Sequence, residues 1–264
     1  MRPVTSLPDV PLTEFDPARL AMIEPGGPRP DGKVPPRLVL CFFADVTSAV
    51  VAERGGRSVA RQHWEHGVHE IWELAGYRER VGVLQPGVGA PLAAGLLEEA
   101  IGLGGRAVVV CGGAGALVPE LVLGHAVVPT AALRDEGTSF HYLPPSRLVA
   151  ADPAGVAAVQ AALAARGLPY VSGTTWTTDA PYRETPAKVA ARRAKGCLTV
   201  EMEAAALFAV AHFRGVPLGQ VLYAGDSLAA QEWDHRSWQT AGAVRRELFD
   251  VAVDAVLALE PAAG

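Results

Sequence analysis

The chain has 264 residues, half of them apolar and 19% charged, with a formal net charge of −5. So much apolar material excludes a disordered chain, and the acidic balance leaves no basic surplus for nucleic acid or an anionic membrane. The scattered Cys41, Cys111 and Cys197 make neither a disulfide framework nor a zinc knuckle, and read as reduced thiols of a cytoplasmic protein.

Residues 1–36 are punctuated by proline, and PGGPRPDGKVPP holds neither a helix nor a central strand. This stretch is expected to be an extended arm or a loose tail ahead of one catalytic domain over 37–264. The first residues lack the basic start and apolar run of a signal peptide. No apolar stretch approaches the ~20 residues of a membrane span.

From residue 37 the pattern alternates. RLVLCFF is a continuous apolar run suited to a strand buried on both faces, and VTSAVVAERGG reads as a short helix. In RQHWEHGVHEIWEL, His63, His66 and His69 lie three apart, which predicts a surface or interface helix rather than a metal site. VGVLQPG is a strand, APLAAGLLEEAIGLGG a helix, and RAVVVCGG and GHAVVPT are strands. DPAGVAAVQAALAARG is a helix with an Asp cap and a proline in its first turn. PYVSGTTW is a strand, TPAKVAARRAKG a helix, CLTVEM a strand, EAAALFAVAHFRG a helix and VPLGQVLYAG a strand. SWQTAGAVRRELFDVAVDAVLALE predicts one long final helix. Strands alternating with helices give a single-domain α/β/α three-layer sandwich around a twisted, largely parallel mixed sheet. Ligands of such sheets sit beyond the carboxyl ends of the strands.

Three stretches in those positions carry chemistry. The turns around Gly87 and Gly89, and around Gly112 and Gly113, leave backbone N–H groups bare for an anion or a sugar hydroxyl, or simply join strand to helix. Glu201 and Glu203 flank Met202 between an apolar strand and an Ala-rich helix. Carboxylates in that setting suit a ribose diol or an oxocarbenium ion; the alternative is an acidic pair on a helix dipole. Asp226, after the last strand, is placed for general-acid work or for a helix cap. Trp233 beyond it is a lid over the ligand or a core residue.

The order GVGAP, GGAG, TTWTTDAPYRET, VEMEAAA, GDS resembles the nucleoside phosphorylase/nucleosidase superfamily, which includes hexameric purine nucleoside phosphorylases, uridine phosphorylases and methylthioadenosine/S-adenosylhomocysteine nucleosidases. The resemblance covers residues 37–258. It implies that Glu203 binds the ribose hydroxyls, with Met202 under the sugar and Glu201 in support. It implies that Asp226 protonates a leaving base, and tilts the base toward purines. Thr177, Thr178, Asp179, Tyr182 and Arg183 fall in its base-pocket segment, and Arg134 in a segment near the sugar. It further implies a homo-oligomer, dimer or hexamer, acting on a nucleoside with no metal or organic cofactor.

The sequence departs from that pattern where phosphorylases bind phosphate. The first strand ends in Phe42-Phe43-Ala44-Asp45, without the usual glycine and arginine, and Val110 or Cys111 replaces a second arginine. Inorganic phosphate therefore stays open as a co-substrate. Arg134 or another arginine, with Gly87, Gly89, Gly112 and Gly113, would rebuild its site. Otherwise water is the acceptor, activated by Asp45, unless Asp45 only caps a helix. A non-catalytic nucleoside-binding protein is the third expectation.

Overall fold

The computed structural model describes residues 10–26 and 34–263. Its first half runs β1 (Arg37–Cys41), α1 (Ala44–Glu53), β2 (Arg57–Trp64), β3 (Gly67–Leu74), β4 (Val81–Leu84), α2 (Ala90–Gly102) and β5 (Ala107–Ala116). The second half runs β6 (Ala126–Asp135), β7 (Leu148–Ala150), α3 (Pro153–Ala165), β8 (Tyr170–Thr178), α4 (Pro186–Arg193), β9 (Cys197–Glu201), α5 (Ala204–Arg214), β10 (Leu218–Ser227) and α6 (Gly242–Ala258).

β1 is apolar along its length because both of its faces are covered. Leu38 and Leu40 point into a core built with α2 and α5, alongside Leu96, Leu97 and Phe208. Val39 and Cys41 point the other way, onto Val159, Phe249 and Val253 of α3 and α6. Side chains that alternate in direction along a strand, with helices on either face, produce the expected three layers. The three cysteines are free and buried. No helix among the described residues is long and apolar enough to cross a membrane.

One sheet links all ten strands. β2, β3, β4, β1 and β5 lie side by side, and β5 then serves two neighbours. Most of β5 pairs in parallel with β10, while its end, Gly115 and Ala116, pairs antiparallel with Val200 and Thr199 of β9. Because β10 continues to β6, β8 and β9, these strands close into a ring with β5. Gly115 permits the junction, since a Cβ there would sit 2.8 Å from Leu228 and 3.1 Å from Val200. The ring brings the carboxyl ends of β5, β9 and β10 to one mouth.

Helix α3 begins as read, with Asp152 capping the N–H of Gly155 at 2.8 Å and Pro153 in the first turn. Gly155 lies directly on the backbone of β10. A Cβ there would meet the Leu218 carbonyl oxygen at 2.2 Å. Backbone cannot yield as a flexible side chain can. Gly155→Ala is therefore expected to destabilise the fold by about 3 kcal/mol, seen as a lower urea midpoint at unchanged slope.

Three expectations are corrected. The three histidines lie not on a helix but on the β2–β3 hairpin, where His63 pairs with Val68 and Gln62 with His69. Gly67, at φ 140°, turns the chain there, and pairing of β3 with β4 overrides the i, i+3 spacing. β7, within what read as loop, adds a short strand to β6. The final helix starts only at Gly242, because Arg236 and Ser237 take positive φ and a 3-10 turn, Trp238–Thr240, intervenes. That detour brings Trp238 and Gln239 to the functional cavity. Of the arm, residues 1–9 and 27–33 lie outside the described residues. The described part packs on α2 and α5: Arg19 donates to the Phe213 carbonyl, and Gly26 abuts Gly102.

Candidate active site

A cavity of about 740 Å³ opens at the mouth of the ring. The β1–α1 junction, the Gly-rich end of β5, the β9–α5 junction, the end of β10 and the start of α6 form its walls. This is the carboxyl edge of the parallel strands, where such sheets bind ligands.

Glu201, Met202 and Glu203 line one side. The Glu201 carboxylate is held from three directions. Thr177 Oγ1 donates to it at 2.6 Å, and the N–H groups of Glu203 and Ala204 donate at 2.8 and 2.6 Å. Thr177 Oγ1 in turn accepts the Ala205 N–H, which fixes its own proton toward Glu201. Glu201 thus caps α5, and the positive end of that helix favours its charge. Glu203 accepts the Gly89 N–H at 2.6 Å, so the start of α2 holds it over the cavity. Burial pushes both carboxyls above the usual range, and for Glu203 the charge of Glu201 adds to this. With three donors on Glu201, the charge resides there and Glu203 carries the proton.

Asp226, also on the wall, accepts the Trp233 Nε1–H at 2.6 Å. Trp233 is exposed, so it is neither a core residue nor part of the cavity wall; it orients Asp226 from outside. Glu184 lines the same end with Pro181, Val200 and Leu228. Burial, then the charge of Asp226, pushes the Glu184 carboxyl up to about 7.

The remaining end is aromatic. Phe42, Phe43, Tyr223 and Trp238 line it, and Arg245 is the one Lys or Arg among the described residues of the wall. Its guanidinium lies 5.5 Å from the Phe43 ring centre and 5.4 Å from that of Trp238. It donates to Tyr223 Oη at 3.3 Å and to both Asp45 oxygens at 3.4 Å. Asp45 lies in the first turn of α1, whose N-cap is Phe43, so Asp45 is not the cap. Gly112 and Gly113 face this end.

Several expected site residues do not reach the cavity. Arg134 donates to Ser139, Ser146 and the carbonyls of Leu143 and Pro144, tying down the loop after β6 rather than an anion. Thr177 acts through Glu201, Thr178 accepts the Ala180 N–H, and Asp179 accepts the Gly137 N–H. Tyr182 and Arg183 are exposed outside the cavity wall. Gly87 also stands off, while Val88 reaches in. Arg245, Glu184 and Tyr223 went unread in the sequence. The signal for Arg245 was an arginine set among the apolar positions of the last helix.

A closed-ring α/β fold with Glu201, Glu203 and Asp226 on the wall of one cavity has the form of a site for a small polar ligand. The family model of the Phosphorylase superfamily matches residues 49–258, and the chain belongs to that superfamily. The chain is 29% identical over 183 residues to the guanosine phosphorylase of Halorubrum lacusprofundi, covering 67% of this chain and 76% of that one. It is 32% identical over 153 residues to the uridine phosphorylase of Treponema pallidum, covering 54% of this chain and 59% of that one. Among solved structures, an AMP nucleosidase from Bacteroides thetaiotaomicron superposes with TM-score 0.69 at 24% identity, covering 85% and 88% of the two chains. A uridine phosphorylase from Vibrio fischeri superposes with TM-score 0.71 at 22% identity, covering 85% and 91%. These two likenesses concern the fold.

Proposed function

We propose that the chain cleaves the N-glycosidic bond of a nucleoside and passes the sugar to inorganic phosphate. The observation that carries this is Glu203, held by the Gly89 N–H on the wall of a cavity that Asp226 also lines. Glu203 meets the ribose hydroxyls, with Met202 beneath the sugar. As the bond to the base lengthens, positive charge grows on the anomeric carbon, and the nearby anion of Glu201 favours it. Asp226 delivers a proton to the departing base, so that it leaves neutral.

Phosphate would approach from the end that holds Arg245 and the backbone of Gly112 and Gly113. Similarity to guanosine and uridine phosphorylases supports this acceptor. A second reading, water as acceptor, has its own support: Asp45 faces the cavity and already compensates Arg245, so the end has little net positive charge. No metal or organic cofactor enters either scheme. We take the protein to be a cytoplasmic homo-oligomer. The exposed Leu20, Met22, Ile23 and Tyr182 support association.

Base release from a nucleoside panel, followed with and without phosphate, decides between the acceptors. Base release is expected to fall at least about tenfold when phosphate is withheld, with a sugar 1-phosphate formed when it is present. Equal release in both conditions, with free sugar as product, establishes water as the acceptor.

A further inference from the structure

β10 carries a glutamine through the core. Gln220 is 2% exposed, and its Oε1 is buried without a hydrogen-bond partner among the described residues. An amide carbonyl taken out of water and left unpaired is costly, and folds keep few of them. Gln62, another buried glutamine, donates its Nε2 to the Leu96 carbonyl at 3.1 Å. Gln220 has no such tie among the described residues and lines the cavity instead.

Its place in the sheet fixes where in the cavity it lies. Gln220 pairs with Val110 of β5 and so shares a face of the sheet with it. Leu222, two residues on, lies on the same face and pairs with Gly112. A Cβ at Gly112 would sit 3.4 Å from Phe42 and 3.5 Å from Leu222, so the bare glycine leaves a gap between those two side chains. Phe42, Gly112 and Leu222 all line the cavity with Gln220. The amide therefore lies low in the cavity, two residues below Gly112, with apolar neighbours that offer its oxygen nothing.

We infer that Gln220 holds the acceptor: turned about its last bond, the amide pairs Oε1 with an O–H of the molecule that attacks the anomeric carbon. The inference rests on the nucleoside-cleaving reading above and deepens it. An amide presents an acceptor and a donor on one carbon, and hydrogenphosphate and water each offer both an O–H and a lone pair in return. The acceptor oxygen bonds the anomeric carbon as the carbon–nitrogen bond breaks. The electron pair of that bond leaves with the base, which takes the proton of Asp226. Hydrogenphosphate attacks through a charged oxygen and keeps the proton held by Oε1. Water keeps that proton and gives its other one to Asp45. Fixing the acceptor in line with the carbon is the contribution of the amide.

The test is Gln220→Met, which keeps most of the side-chain volume and removes both polar atoms. Initial rates are measured on the full chain with a panel of purine and pyrimidine nucleosides, with inorganic phosphate varied from zero. With phosphate as acceptor, the variant is expected to raise KM for phosphate about tenfold and to leave KM for the nucleoside within about twofold. With water as acceptor, kcat is expected to fall about thirtyfold at unchanged nucleoside KM, and added methanol to take an about threefold larger share of the sugar. The thermal midpoint is expected to hold or rise, since no buried carbonyl is left unpaired. Gln220→Asn keeps the amide one methylene short; its loss is expected to fall between, and it carries the test where the Met variant does not fold. Equal losses on the nucleoside and the acceptor, or unchanged kinetics, overturn the role of Gln220 and leave nucleoside cleavage standing. Release from no nucleoside by the unaltered chain overturns both.

Discussion

Glu203→Gln is expected to lower kcat/KM for nucleoside cleavage by about a thousandfold. The amide keeps the size of the side chain but has one acceptor oxygen where the carboxyl has two, so it cannot accept the Gly89 N–H and also serve the ribose hydroxyls as the sugar gains the positive charge that Glu201 favours. Steady-state rates at saturating and limiting substrate measure it. If the loss falls on KM alone, Glu203 binds the ribose without favouring the transition state.

The same substitution has an opposite effect on stability, and its sign follows from burial. Burial pushes the Glu203 carboxyl up to about 8, from an ordinary 4.5. Below pH 4.5 the carboxyl is protonated in both folded and unfolded chains and costs nothing. As the pH rises toward 8 the unfolded chain ionises while the folded site resists, so stability falls across that window. The amide of the variant has no proton to lose. Glu203→Gln is expected to melt about 5 °C above the parent at pH 8 and to show little gain at pH 4.5, by scanning calorimetry. A gain of equal size at both pH values would show that packing, not ionisation, is responsible. Glu201→Gln should gain less, since three donors hold its carboxyl lower, at about 7 against about 8 for Glu203.

Asp226→Asn is expected to lower kcat by about two to three orders of magnitude for a natural nucleoside, with little change in KM. Asn cannot pass a proton to the departing base. The loss should therefore vanish for a riboside whose leaving group needs no proton, such as p-nitrophenol. Comparing the two substrates isolates proton transfer from geometry. An equal loss on both would mean that Asp226 orients the ligand, or holds Trp233 through their 2.6 Å hydrogen bond, without acting as an acid.

The elements that carry the site were legible where local signals and burial agree. Asp152 caps α3 as its position before Pro153 indicates, and EMEAAA opens a buried helix that Glu201 caps. The hairpin bearing His63, His66 and His69 was misread because histidine spacing can fit a helix. Only pairing with β4 shows that Ile71 and Leu74 face the core. Arg134 looked like an anion ligand because arginine is a strong anion binder. Its donors are instead used within its own loop, through contacts more than four residues away that no local pattern reveals.

The sequence by itself determined the layered α/β class, and it pointed to Glu203 and Asp226 as candidates at strand ends, where both line the cavity. These depend on apolar periodicity, on caps and on short motifs, all of which act within a few residues. Tertiary structure decided which groups share the cavity. Asp45 and Arg245 are 200 residues apart and meet only because α1 and α6 pack on one face of the sheet. Glu184, in the turn after β8, joins Asp226 at the end of β10 because β8 pairs with β9 within the ring that β5, β9 and β10 close at Gly115. Long-range packing places these side chains, and its physical cause is the burial of both sheet faces together rather than any property of the residues flanking them.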